Sequence, residues 1–203
     1  MKNGINTSLI TMVTFDSRNN FLSFNILFLI LFSFSGCSDS YQVDPLIFKK
    51  MVSVRNLGIA YLEEERYSDA VNEFEKLTQI APEEPNGYAN LGLAYMRMNN
   101  QLRESENYLQ KAFNLSPENP DIRLLLAEFY QLSGNDEEAI NLLEESIFHS
   151  PNHIKTLYEL AQLHSKIQNS GSITKAEKYM RSLAELLPSN LLVIFKLVEL
   201  LLQ

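Results

Sequence analysis

The phrase NLGIAY, Asn56 to Tyr61, returns as NLGLAY, Asn90 to Tyr95, 34 positions later. Prolines keep almost the same beat: Pro82, Pro117, Pro151 and Pro188 follow one another at intervals of 35, 34 and 37. A period of about this length means one supersecondary unit used several times, because so short a unit cannot bury its own apolar face and must stack on copies.

Within the period the apolar residues follow a helix. Val54, Leu57, Gly58 and Tyr61 fall at i, i+3, i+4 and i+7, one helical face. The polar stretch EEERYSD interrupts the pattern, and Ala70, Phe74 and Leu77 restart it. Pro82 closes the unit, since proline lacks the N–H that a helix interior needs. Each unit is therefore two amphipathic helices and a turn, and the chain is expected to be all-α.

These residues resemble the tetratricopeptide repeat. Unit one supplies Val54, Leu57, Gly58, Tyr61, Ala70, Phe74, Leu77 and Pro82. Unit two supplies Tyr88, Leu91, Gly92, Tyr95, Ser105, Leu109, Ala112 and Pro117, with one extra residue in its inter-helix turn. Unit three reads Arg123, Leu126, Ala127, Tyr130, Ala139, Leu143, Ser146 and Pro151. Unit four reads Leu157, Leu160, Ala161, His164, Ala176, Met180, Leu183 and Pro188. The resemblance implies a right-handed α-solenoid of stacked helix-turn-helix units, here 51–84, 85–119, 120–153 and 154–190. Residues 191–203 then form the first helix of a fifth unit or a cap.

Three departures carry expectations. Unit four holds three extra residues in QNSGSIT, which predicts a longer, more mobile turn. Arg123 occupies a bulky apolar slot, so its stem is expected to cover apolar surface while its charge reaches water. His164 replaces the unit's tyrosine and reads as a packed core histidine.

Residues 21–34, FLSFNILFLILFSF, are strongly apolar, but the run is short of the roughly 20 residues of a spanning helix. It fits the core of an export signal. With Ser35, Gly36 and Cys37 behind it, the stretch resembles a bacterial lipoprotein signal. That resemblance implies cleavage after residue 36, acyl chains on Cys37 and a tether over 37–50. By the same analogy Ser38 favours the outer membrane in a Gram-negative cell. Phe34 stands where the family usually has leucine, and the start is either Met1 or Met12. The alternative is an incidental thiol behind a plain signal peptide or a short uncleaved anchor.

Charge and residue chemistry exclude several functions. The 203 residues carry a net charge of −8 with no block of basic residues, which disfavours nucleic acid. The single cysteine, Cys37, leaves no internal disulfide and no cysteine-rich zinc site. His149 and His153 are separated by Pro151, which breaks the helix that would align them on a metal. Glu63, Glu64 and Glu65 read as a solvated acidic turn. No glycine-rich phosphate loop or nucleophile motif occurs, so no cofactor and no enzymatic activity are expected.

In tetratricopeptide repeats the first helices line a concave groove, and the resemblance implies a protein or peptide ligand there. The corresponding residues outside the packing slots are Arg55, Ile59, Asn86, Asn90, Leu93, Met96, Arg97, Leu124, Glu128, Tyr158 and Gln162. Arg55 and Asn90 match two positions of the family's carboxylate clamp, but Ile59, Leu124 and Leu125 do not, so the clamp is not supported. A mixed groove of Leu93, Met96 and Leu124 rimmed by Arg55 and Arg97 suits a segment with apolar anchors.

Past Pro188 the register places Ile194, Leu197, Val198 and Leu201 in the apolar slots of another first helix. The helix is apolar nearly all round, with Lys196 and Glu199 as its charges. Either the repeats continue in a larger exported protein, or Leu191 to Leu202 dock a partner or a second copy. The repeat phrases are also similar to those of exported bacterial proteins that continue into a propeller-like domain.

Overall fold

The computed structural model describes residues 44–98, 101–167 and 169–202. The leader, Cys37 and most of the tether lie outside the described residues. Among those described, every regular element is a helix: α1 (Pro45–Glu63), α2 (Tyr67–Ile80), α3 (Pro85–Arg97), α4 (Leu102–Leu115), α5 (Pro120–Leu132), α6 (Asp136–His149), α7 (Ile154–Lys166), α8 (Ser170–Leu186) and α9 (Leu191–Leu201). Each helix packs on the next along the chain, and the first helices of successive units, α1, α3, α5 and α7, also touch one another. The result is a solenoid of four helical pairs with α9 added. No described helix is long and apolar enough to cross a membrane.

The proline beat becomes a repeated joint. Ala81, Ser116, Ser150 and Leu187 each precede a proline and share nearly one backbone conformation, with φ of −135°, −148°, −132° and −129°. The proline ring forces this by excluding the helical region for the residue before it. The carbonyl of each of those residues accepts an N–H from three residues on, at Glu84, Asn119, His153 and Asn190. Those four are the N-caps of the following helices. Side-chain caps reinforce the joint: Asn119 Oδ1 accepts from the Asp121 amide at 3.0 Å, and Pro120 sits at the first helical position.

Helix α1 begins at Pro45, with Asp44 accepting the Leu46 amide at 2.7 Å. Six residues assigned to the tether are therefore helical. The favourable cap and the N-terminal proline account for the early start.

The turns inside units one and three use the left-handed backbone region. Gly134 has φ 80°, and Glu65, at the same register in unit one, has φ 58°. Each lets the next amide reach back, Asn135 to the Tyr130 carbonyl and Arg66 to the Tyr61 carbonyl, both at 2.8 Å. Glu65 is thus more than a solvated acid. It holds a strained conformation that glycine adopts freely.

The unit-four insertion does not lengthen its turn. Only residues 167–169 separate α7 from α8, as many as 64–66 separate α1 from α2. The extra residues extend α8 to 17 residues against 14 in α2, α4 and α6. Asn169 caps the extension by accepting the Ser172 amide at 2.8 Å, and helix continues wherever a cap and compatible residues allow it.

Small residues bring paired helices together. A Cβ added at Gly92 would lie 2.6 Å from Leu109 Cγ and 3.1 Å from the Leu109 amide nitrogen. At Gly58 it would lie 2.6 Å from the Phe74 ring. Ser105 uses its small slot twice over, packing closely and donating its hydroxyl to the Gly92 carbonyl at 2.9 Å. Leu91, Leu126 and Leu160 are buried at one register, whereas Leu57, its counterpart in unit one, is 43% exposed. That slot needs the preceding unit as well as its own second helix.

Arg123 corrects its expectation. The residue is 2% exposed, and its guanidinium does not reach water. Its Nε donates to the Pro117 carbonyl at 2.6 Å, and its Nη1 lies 3.0 Å from Glu145 Oε2. The guanidinium also lies over the Phe113 ring. A planar fork of donors satisfies the carbonyl left open beyond the end of α4, so the charge is buried with partners. Hydrogen bonding from Arg123 holds the Glu145 carboxyl below its ordinary value.

Candidate functional site

The first helices expose the side chains that packing does not consume. Arg55, Ile59 and Asn86 are exposed, as is Arg97, while Asn90, Leu93, Glu128, Tyr158 and Gln162 are partly buried. Met96 and Leu124 are not available. Met96 is 4% exposed and packs with Leu109, Leu126 and Phe129. Leu124, at 8%, belongs to the core of units three and four. Both sit on a second buried stripe, since a solenoid helix packs on its own partner and also on a neighbouring unit. The mixed apolar groove expected from Leu93, Met96 and Leu124 therefore reduces to Leu93 among exposed polar groups.

Between units the face is polar and partly cross-linked. Lys155 Nζ donates to Asp121 Oδ1 at 2.9 Å, and Gln131 Nε2 donates to Glu159 Oε1 at 2.9 Å. Glu128 lies among these groups without joining them. Burial pushes its carboxyl above the ordinary value, and Glu159 adds to the rise, while Arg97 and Lys155 oppose it at a distance. A depression of about 350 Å³ opens beside it, lined by Tyr67, Met96, Arg97, Glu128 and Leu132. Tyr67 and Leu132 were not legible as site residues. Tyr67 begins a second helix, and Leu132 reads simply as the end of α5.

A second polar cluster joins units three and four, with Glu144 on α6, His164 on α7 and Lys175 and Tyr179 on α8. Glu144 Oε1 lies 2.7 Å from Lys175 Nζ, 3.3 Å from His164 Nε2 and 3.4 Å from the Tyr179 hydroxyl. Burial alone would raise the Glu144 carboxyl, but the Lys175 hydrogen bond and charge, with His164, outweigh it and hold it low. Burial lowers His164 and pushes Tyr179 up to about 12. His164 is 4% exposed and stacks on Tyr179, as a core residue does. Glu144 already has three partners, so the cluster ties two units together, while His164 Nδ1 is buried without a hydrogen-bond partner among the described residues. His149 and His153 face separate carboxylates, Glu118 at 2.9 Å and Asp121 at 3.7 Å, rather than one another.

Helix α9 buries Val193 and Leu200 against α8, whereas Ile194, Val198 and Leu201 are 38%, 48% and 49% exposed. The buried pair occupies the register of Thr156 and Leu163, the side that faces the preceding unit. The slots expected to be apolar and covered face the place of a second helix, and no described residue fills it.

Two tetratricopeptide repeat models match the chain, one over residues 58–99 and one over 98–163. Among curated proteins it is similar to lipopolysaccharide assembly protein B of Haemophilus influenzae, 30% identical over 106 residues. That match takes in 50% of this chain but only 26% of the relative's length. Among solved structures, a thermophilic tetratricopeptide protein of Thermus thermophilus superposes with a TM-score of 0.65 at 18% identity, covering 75% of this chain and 82% of that one. YrrB, described as a tetratricopeptide protein with an unusual peptide-binding site, gives 0.56 at 20% identity over 72% of this chain and 73% of its own. These likenesses show the fold. The two model matches run without a break from residue 58 to residue 163, about half the chain, and identify that stretch as tetratricopeptide repeats.

Proposed function

We propose that this protein is a non-enzymatic scaffold, tethered to the membrane on the periplasmic side, that holds a peptide or protein segment against the first helices of its repeats. The observation that carries this reading is the exposed face of α3, α5 and α7. Arg97, Asn90, Glu128 and Gln162 stand there and retain accessible surface, with Glu128 and Gln162 at one register of successive units, while Tyr158 is partly exposed beside the core. Such a face gives polar contacts for orientation at low cost to stability. The peptide site named for YrrB and the assembly role named for the Haemophilus relative support a protein-binding reading. A pull-down comparing the wild type with Asn90→Ala/Gln162→Ala tests it. Loss of specific partners is expected, and identical partner recovery would overturn the groove.

Tethering is proposed through Cys37, on the apolar run and the small residues before it. Two or more acyl chains give durable anchoring where one is marginal. Cys37→Ser is expected to move the protein from the membrane fraction to the soluble one, and unchanged partitioning would sink the lipid anchor.

A second reading is favoured by α9. Its bare slots suit a further second helix, so the repeats would be the arm of a larger exported protein whose activity lies elsewhere. An open reading frame beyond residue 203 in the genomic sequence would support this, and a stop codon there would count against it.

A further inference from the structure

We propose that the depression between α2, α3 and α5 is a subsite for the side chain of a lysine or arginine in the bound segment, with Glu128 as its counter-ion. The inference rests on the groove reading and names one residue type that the groove selects. At about 350 Å³ the depression is at the small end of ligand-sized sites. Its wall combines the carboxylate of Glu128 with Tyr67 and Leu132, over a floor that buried Met96 helps close. An extended basic side chain has the same two parts, an apolar stem and a charged head.

Glu128 itself supplies the second argument. Among the described residues no hydrogen bond or ion pair reaches its carboxylate, although Gln131, Asp121, Lys155 and Glu159 beside it are all paired. It is also desolvated enough to disfavour its charge. A half-buried carboxylate without a partner is costly, and a ligand cation that completes it recovers that cost on binding.

Arg97, at the same rim, is not close enough to Glu128 to form an ion pair, and it also borders a neighbouring depression that holds Glu65 and Asp69. An arriving cation repels Arg97, which has Glu65 to turn to, since Asp69 is already paired with Arg66 at 2.7 Å. Arg97 is thus a competitor of the ligand for Glu128. The net charge of −8 favours cationic ligands in general, so the test must separate this one carboxylate from the overall field.

The test is selection from a phage-displayed library of random 12-residue peptides on the full-length protein, followed by Kd measurement on synthetic peptides with Lys, Arg, norleucine or Glu at the enriched position. Wild type is expected to enrich Lys or Arg at one register, with norleucine about tenfold weaker, as one charge-assisted hydrogen bond allows. Glu128→Gln is expected to erase that preference while most of the negative field remains. Arg97→Ala is expected to sharpen it. Glu128→Gln should keep the fold, because it removes a charge that burial disfavours, and thermal melting checks this. If Glu128→Gln melts early, Arg97→Ala decides alone: a preference that does not sharpen overturns the subsite. If peptides bind without a basic preference, or keep it in Glu128→Gln, the groove stands and the subsite falls. If no peptide is retained by any variant, groove and subsite fall together.

Discussion

Helices α7 and α9 carry one pattern 37 residues apart, with opposite outcomes. Leu157, Leu160, Ala161 and His164 lie buried under α8. Ile194, Val198 and Leu201 occupy the matching register and remain largely bare, while Leu197 is half-buried. The residues on α9 are the more apolar of the two sets. Burial therefore belongs to the neighbour rather than to the side chain, and a stripe shows which face a helix can cover without showing that it is covered.

The comparison can be broken or sharpened by substitution. Leu160→Ala, at a fully buried slot, is expected to cost about 2–5 kcal/mol in a urea unfolding curve. Gly92→Leu should cost about 1–3 kcal/mol or more in the same assay, because even a Cβ there meets the Leu109 amide nitrogen. A smaller effect of opposite sign is expected from Glu65→Gly, a gain of about 1 kcal/mol from relief of the positive φ.

Acid should act on the α7–α8 side. Both His164 and Glu144 have values below those of the unfolded chain, so their contributions are complete above the unfolded values, about 6.5 and 4.3, and are lost as pH falls through the folded ones. Melting temperature should drop on acidification below about pH 6.5, and His164→Phe should flatten the first part of that drop. Ile194→Ser, on the bare side, should change stability by no more than about 0.5 kcal/mol. A loss as large as that of Leu160→Ala would mean that something covers α9 in solution.

The paired helices and their joints were legible because proline spacing and the i, i+3, i+4, i+7 slots are local properties of the chain. What was missed came from the stacking direction. Met96 and Leu124 lie just off the within-unit stripe and look like groove residues until a neighbouring unit is placed on them. Arg123 seemed bound for solvent because the Pro117 and Leu142 carbonyls that receive its guanidinium, with Glu145, are presented only by the folded stack. The unit-four insertion read as a loop because residue counting cannot tell an extended helix from a longer turn. Glu128 was legible as a groove position, but its missing partner was not, since that depends on where Gln131 and Lys155 find theirs.

The repeated joint at Ala81, Ser116, Ser150 and Leu187 has a mechanical consequence. A stack whose links share one conformation behaves as a coil spring of set pitch, in which bending at one link reorients every unit beyond it relative to those before it. Evolution can lengthen a unit, as in α8, without disturbing that pitch so long as the added residues stay between the links. Tolerance of insertions and fidelity of spacing are then separate properties of the same chain, one carried by its turns and the other by the residues that precede its prolines.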